Sequence, residues 1–263
     1  VALGGGALDS NVSGSYNVAV GFEALQENTG SSNTGIGYKA LEENTTGAEN
    51  VAVGHEALTA NTTGDENTAL GQSALVTNTT GSYNVAVGQD ALFTNNADYN
   101  TAIGVNALYY NSTGTNNVAV GHNTLDANTT GGSNTAAGKN SMGANTTGGA
   151  NTALGTSSLE SNTTASNNTA IGYFALLSNT TGTQNVAVGA NTLDANTTGY
   201  YNTAVGAYSL GSNTTGYSNT AIGWKALETN TAGAGNVAIG DEAMLYTATS
   251  SNVAIGDGAA KTN

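Results

Sequence analysis

The chain repeats itself almost without interruption at a period of 17 residues, shortened to 16 in a few places. The unit reads [VT]-A-[VIL]-G-x-x-A-L-x-x-N-T-T-G-x-x-N, and we number its positions as columns 1 to 17. No change of composition marks a boundary or a linker, so the sequence predicts one continuous repeat array over residues 1–263. Units begin at Val1, Val18, Thr34, Val51, Thr68, Val85, Thr101, Val118, Thr135, Thr152, Thr169, Val186, Thr203, Thr220, Val237 and Val253.

Four columns of the repeat hardly vary. Column 4 is glycine in every unit, and column 17 is asparagine in every complete unit. Column 2 is alanine except at Gly35, and column 11 is asparagine except at Thr247. Glycine and asparagine tolerate left-handed backbone conformations, so these columns predict bends at the same points of every unit.

The length of the unit limits the possible folds. Seventeen residues are too few for the helix pairs of ankyrin-like or tetratricopeptide repeats, which need more than about thirty. Columns 1 to 3 carry β-branched residues at alternate positions, and the rest of the unit is rich in poor helix formers. We therefore predict an all-β fold, a parallel β-solenoid (β-roll) of about 15–16 coils with 17 residues per coil. Asn33, Asn50 and Asn67 should then lie in a line at intervals of about 4.8 Å.

Strand alternation places columns 1 and 3 on one face and column 2 on the other. We expect the larger side chains, such as Val51 and Val53, to face the core, and column 8 leucines such as Leu58 to close it from the other wall. Ala52 would then point away from this core. Two interpretations of the alanine column remain open: it lines a tight crevice within its own coil, or it packs against neighbouring subunits.

Charge and composition exclude several classes of function. The 18 acidic residues outnumber four lysines, and the formal net charge of −14 argues against a nucleic-acid partner. Without cysteine there is neither a disulfide framework nor a zinc–thiolate site. No stretch approaches the roughly 18 apolar residues of a membrane-spanning helix, and residues 1–4 lack the pattern of a signal peptide. We predict no membrane insertion.

No residues show the spacing of a catalytic or metal site. His55 and His122 occupy column 5 four coils apart, so about 19 Å separates them, too far to share a metal. Hydroxyl groups recur in every coil, which favours a structural role over nucleophilic catalysis. Neighbouring acids such as Asp65 and Glu66 would point to different sides of an extended segment, unlike a glycosidase pair. We therefore predict a protein that is not an enzyme, with no catalytic, metal-binding or cofactor-binding residues and no cofactor.

The Asn-Thr-Thr segment of most units permits three interpretations. It satisfies the pattern of an N-glycosylation acceptor, so partial glycosylation is one. A ladder of asparagine side chains, hydrogen-bonded from coil to coil, is another. The threonines also raise an ice-binding hypothesis, but adjacent threonines point to opposite faces and leave one column where paired T-x-T columns would be expected.

Aromatic residues at many surface positions could stack on the rings of a cell-surface glycan, or they could cover neighbouring coils. These residues are Tyr16, Tyr83, Tyr99, Tyr109, Tyr110, Tyr200, Tyr201, Tyr217 and Trp224.

Two known repeat families share motifs with this unit. Asn17-Val18-Ala19-Val20-Gly21 and its equivalents resemble the N-S-V-A-I-G motif in the head repeats of trimeric autotransporter adhesins. The segment 168–182, N-T-A-I-G-Y-F-A-L followed by N-T-T-G, is similar to repeats of bacterial and phage tail-fibre-like proteins, and this likeness covers nearly the whole chain. Both resemblances imply a solenoid in a surface fibre, and the first implies a homotrimer.

We therefore expect a structural β-solenoid segment of an extracellular fibre, adhesin or phage tail fibre, located outside the cell, on its surface or on a virion. An alternative is a subunit of a self-assembling extracellular filament. The first and last units carry no polar cap, so their open strand edges could stack end to end. An ice-binding solenoid is the third hypothesis. Self-association, as a homotrimer or an end-to-end filament, is the expected partnership.

Overall fold

A computed structural model describes residues 1–246 and 249–261. Over these residues the chain is all-β and contains no helix, and its strands form a parallel β-solenoid with about 17 residues per coil. The fold class predicted from the repeat is confirmed. Internal contacts divide the chain into two compact parts, each of several coils, which we call unit 1 (Val1–Ser133) and unit 2 (Asn134–Asn263). From here on, each 17-residue repeat is called a coil.

Strands β2 to β16 each cover columns 1 to 3 of one coil, and β1 covers columns 2 and 3. Neighbouring strands within a unit pair in parallel, column against column, as in Ala52 opposite Ala69. Unit 1 contains β1 (Ala2–Leu3), β2 (Val18–Val20), β3 (Thr34–Ile36), β4 (Val51–Val53), β5 (Thr68–Leu70), β6 (Val85–Val87), β7 (Thr101–Ile103) and β8 (Val118–Val120). Unit 2 contains β9 (Thr135–Ala137), β10 (Thr152–Leu154), β11 (Thr169–Ile171), β12 (Val186–Val188), β13 (Thr203–Val205), β14 (Thr220–Ile222), β15 (Val237–Ile239) and β16 (Val253–Ile255).

Column 4 ends each strand at a bend that only glycine can make. Gly88 has a φ of 132°, which L-residues rarely adopt. A Cβ atom at this position would lie 2.6 Å from the carbonyl oxygen of Gly104 in the next coil. The invariance of column 4 therefore has both a conformational and a steric cause.

Columns 6, 8 and 16 also have positive φ, although most of their residues are not glycine. Glu56, Leu58 and Glu66 have φ values of 55°, 52° and 56°. This conformation costs an L-residue roughly 1–2 kcal/mol, so the surrounding structure must hold it. The Glu56 N–H donates to the Tyr38 carbonyl of the preceding coil, and the Leu58 N–H donates to the Ala74 carbonyl of the following coil, both at 2.8 Å. Bonds to both neighbours thus fix the turn.

The two faces of the strand are the reverse of our expectation. Ala52 is completely buried, whereas Val51 and Val53 are partly exposed. The prediction that columns 1 and 3 form the core is wrong, and only its column 8 component, represented by the fully buried Leu58, is confirmed. Column 2 alanines lie inside their own coil, so they do not form the outward contact with neighbouring subunits that we considered.

A narrow interior explains this reversal. At Gly35, even the Cβ of an alanine would lie 2.9 Å from the Ala40 carbonyl oxygen and 3.2 Å from Cγ of Leu25. Alanines of columns 2 and 7, leucines of column 8 and asparagines of columns 11 and 17 fill the coil. A valine in column 2 would not fit, so the larger strand residues point outward.

Two of the shortened coils, 18–33 and 85–100, lose their residue from one turn. In coil 18–33 the Asn28 side-chain amide donates to the Gly30 carbonyl at 2.9 Å, two residues away. In a full-length coil the same bond joins Asn44 to Gly47, three residues away, also at 2.9 Å. The missing residue therefore belongs to column 13, and the neighbouring strands stay in register.

The assignment of the faces can be tested with two adjacent substitutions in β8. Ala119→Leu puts a large side chain into the filled interior and should lower the free energy of unfolding by at least about 1–3 kcal/mol. Val120→Leu adds its methylene to a side chain that is 39% exposed and should change it by less than about 0.5 kcal/mol. Urea unfolding followed by circular dichroism measures both, and equal effects would contradict the assignment.

Candidate functional surfaces

Column 17 forms a buried ladder of asparagine side chains. The backbone N–H of Asn50 donates to Oδ1 of Asn33 at 2.9 Å, and the N–H of Asn67 donates to Oδ1 of Asn50 at 2.9 Å. The Asn50 side-chain amide also donates to the Gly64 carbonyl at 2.8 Å. All three asparagines are fully buried. The predicted line of asparagines is therefore present and joins each coil to the next.

Column 11 forms a second buried ladder. Nδ2 of Asn61 donates to Oδ1 of Asn44 at 2.7 Å and to the Gly64 carbonyl at 3.0 Å. Asn78 repeats the first bond to Asn61 at 3.0 Å. The ladder interpretation of the Asn-Thr-Thr segment is confirmed. Because a glycan would be attached to the same side-chain nitrogen, the folded coil conceals the acceptor atom.

Threonines of column 12 also bond from coil to coil. The hydroxyl of Thr45 donates to the Thr62 carbonyl at 2.8 Å, and the hydroxyl of Thr62 donates to the Thr79 carbonyl at 2.9 Å. The next column, represented by Thr46, is exposed. The two neighbouring threonine columns therefore have different roles: column 12 bonds from coil to coil, and column 13 faces solvent. Strand alternation likewise predicts a single threonine column, where an ice-binding turn would present paired columns.

The outward side chains of columns 1 and 3 form a strip along each unit, which we call the outer sheet face. Every residue in these columns is Val, Thr, Ile, Leu or Ala, and none is charged. Ile36 and Ile103, for example, are 39% and 41% exposed. Contiguous exposed apolar side chains mark interaction surfaces. Strand alternation and side-chain size did not predict this surface, because they placed the same residues in the core.

Several of the aromatic residues stack on their counterparts in the next coil. Tyr83 and Tyr99 have ring centroids 5.0 Å apart with planes 6° from parallel, and Tyr200 and Tyr217 are likewise 5.0 Å apart. The negative charge of nearby Glu66 is the main cause that raises the pKa of Tyr83. Because each ring covers a face of its neighbour, these pairs fit the coil-covering interpretation, and a glycan partner stays a prediction.

A cleft of about 330 Å³ opens on unit 1 beside columns 6, 9 and 10. Its lining residues are Asp90, Asn106, Tyr109, Tyr110 and Asp126. The Tyr109 ring lies against that of Tyr110, edge to face, with centroids 4.5 Å apart. Burial is the main cause that raises the pKa of the Tyr109 hydroxyl. Carboxylate and amide oxygens beside a tyrosine ring could hold a hydroxyl-rich ligand.

The two histidines lie at the surface. His55 stacks on Tyr38 with centroids 4.9 Å apart, and its Nδ1 is 3.6 Å from the Glu56 carboxylate. His122 is exposed in the same column. Across residues 1–246 and 249–261, no three His, Asp or Glu side chains are grouped closely enough to hold a metal ion. A search of that same part of the chain also finds no helix able to span a membrane.

No protein-family model matches the chain, and no curated protein matches its sequence.

The column 17 ladder can be tested at Asn67, whose Oδ1 accepts the Asn84 N–H at 3.0 Å and whose Nδ2 donates to the Gly81 carbonyl at 2.8 Å. Asn67→Leu leaves the buried Asn84 N–H without a partner, which alone should cost about 1–3 kcal/mol of unfolding free energy. Urea unfolding measures this cost.

Asn67→Asp is the matched variant, because a carboxylate still accepts the N–H but cannot donate to Gly81. Burial should raise the pKa of the new carboxyl above its unfolded value of about 3.9. The folded state then binds the proton more tightly, so the variant's deficit relative to the parent should be smallest near pH 4 and grow as the pH rises. A deficit that is the same from pH 4 to pH 8 would contradict the buried ladder.

Proposed function

We propose that the chain is a structural β-solenoid segment of an extracellular fibre, adhesin or phage tail fibre. The observation that carries this proposal is the regular coil-to-coil bonding of each unit. Backbone groups and two asparagine columns make the same bonds at successive coils, while most of the variation lies in outward columns such as 5, 9, 10 and 16. A scaffold that repeats its supporting bonds and varies mainly at its surface suits a structural segment.

The direction of these bonds supports the same role. The asparagine bonds and the strand ladder run from coil to coil, along the direction in which the coils stack. Tension in that direction acts on many hydrogen bonds at once rather than on one. Because the side-chain amides are buried, water does not compete for their hydrogen bonds, and these bonds stay strong.

An adhesive form of this segment would bind its ligand in the cleft of unit 1. Its carboxylate and amide oxygens can accept hydrogen bonds from sugar hydroxyls, and Tyr110, 56% exposed, offers a ring for stacking. A cell-surface glycan is therefore the ligand class we propose for an adhesin. End-to-end filament assembly and ice binding remain predictions of the sequence.

Distances within unit 1 test whether the segment is a regular structural element. Ser13 and Thr130 are exposed in column 13 of coils seven steps apart, and the absence of native cysteine permits selective spin labelling of Ser13→Cys/Thr130→Cys. At about 4.8 Å per coil, pulsed electron paramagnetic resonance should give a narrow distribution near 34 Å. Deleting residues 51–84, two complete coils, joins Asn50 to Val85 and should shorten it by about 10 Å.

The control deletion removes residues 51–75 and leaves a remainder of less than one coil. This remainder lacks its strand and its column 8 leucine, so it cannot complete a turn of the solenoid. We expect a broad distance distribution and a lower melting temperature for this control. A broad distribution in the parent, or no shortening after the two-coil deletion, would refute the structural role.

A further inference from the structure

The outer sheet face of unit 1 changes from coil to coil in a regular way. Between β2 and β7, coils with valine in column 1 also have valine in column 3, and coils with threonine in column 1 have isoleucine or leucine in column 3. Ile36, Leu70 and Ile103 are 39%, 38% and 41% exposed. The column 3 valines of β2, β4 and β6 are less exposed, whereas Val120 of β8, beyond the alternating strands, is 39% exposed.

This alternation gives the face a relief that can fit a copy of itself. Isoleucine and leucine are one carbon longer than valine, so raised side chains recur every two coils, about 9.6 Å apart, with hollows between them. Two β-sheets that pack face to face interdigitate their side chains at a separation of about 10 Å. A second outer sheet face displaced by one coil would place its raised side chains in these hollows.

The charge distribution also favours a second copy of the chain as the partner. The chain has a formal net charge of −14, and all 18 of its acidic residues lie outside columns 1 and 3. Two copies therefore repel each other on most surfaces. The outer sheet face allows them to meet without bringing carboxylates together. A basic partner would be attracted instead to the surfaces that carry the acidic residues.

We propose that the outer sheet face of unit 1 is a contact between two copies of this chain, with Ile36, Leu70 and Ile103 of each copy seated in the hollows of the other. The contact extends the proposed fibre function by joining solenoids side by side, and it relies on that function only for its biological setting. A second copy is the partner that both the relief and the charge distribution fit.

The size of the face sets the expected strength. A strip three residues wide and eight strands long covers about 10 Å by 38 Å, or roughly 400 Å² per copy. This is about half the area of a standard protein interface. Because standard interfaces have dissociation constants from about micromolar to picomolar, we expect a dimer that dissociates with a constant weaker than about 1 µM.

Sedimentation equilibrium of the full chain between about 10 µM and 1 mM tests the pairing, since a dimer with a dissociation constant in or near this range changes its populated fraction across it. The parent should form a reversible dimer. Ile36→Glu/Ile103→Glu places like charges on the face and should weaken dimerisation at least tenfold, since juxtaposed like charges strongly disfavour association. The control Thr46→Glu/Thr113→Glu adds the same charge to exposed turn residues of the same two coils and should leave the dimer unchanged.

Val53→Ile/Val87→Ile tests the relief itself. This variant fills two hollows and adds apolar surface, so interdigitation predicts weaker dimerisation, whereas an unspecific apolar contact predicts tighter dimerisation. Circular dichroism of each variant establishes that it is folded.

Several outcomes would overturn the proposal: a parent monomeric at 1 mM, a trimer or an open-ended series of masses, equal weakening by the threonine control, or tighter association of Val53→Ile/Val87→Ile. A monomeric parent with thermal hysteresis that Ile36→Glu/Ile103→Glu abolishes would assign the face to ice. The spin-label distances within unit 1 are measured in dilute single chains, so pairing can fail while the structural role stands.

Discussion

The hydrogen bond from a backbone N–H to an asparagine side chain of the preceding coil is the interaction on which this solenoid depends. Buried backbone groups must find partners, and a turn enclosed inside a narrow coil cannot find them in water. The side-chain amide of Asn50 supplies both an acceptor and a donor to the following coil, where the Asn67 N–H and the Gly64 carbonyl lie. Repetition of this side chain fixes the spacing and the register of the coils together.

A structure supported in this way needs only a thin apolar interior. Alanine methyl groups and the column 8 side chains, leucine in most coils and methionine at Met142 and Met244, fill the space that the asparagines leave. Buried polar side chains are satisfied almost throughout: over residues 1–246 and 249–261, only Oγ of Ser209 and Oδ1 of Asn230 lack a hydrogen-bond partner. In the coil that follows Asn230, column 11 is occupied by Thr247, which lies outside the described residues.

Periodicity made the fold and the asparagine ladders predictable, because a side chain that recurs once per coil must lie above its own copies. Alternation separated Val51 and Val53 from Ala52 but did not say which face lies inside. Side-chain size gave the wrong answer, because the interior is too narrow for valine. Near-invariance of the alanine column was the better signal, since a filled interior tolerates less variation than a surface.

The left-handed turn residues had no such signal. Leu58 and Glu56 belong to residue types that rarely adopt positive φ, and only their bonds to both neighbouring coils impose it. The outer sheet face was missed for a related reason. Its residues are those of an ordinary strand core, and only the path of the chain around the narrow coil turns them outward.

The turn that loses column 13 has a consequence for how such a chain can change. Coils 18–33 and 85–100 both omit this residue, yet the asparagine before the gap still bonds to the carbonyl beyond it. The surface turn can therefore change its length at this one point while the hydrogen bonds of the coil stay the same. A foreign peptide inserted at column 13 would leave from an exposed position and return to an anchored one, which makes each full-length coil a site for displaying an added loop at a chosen height.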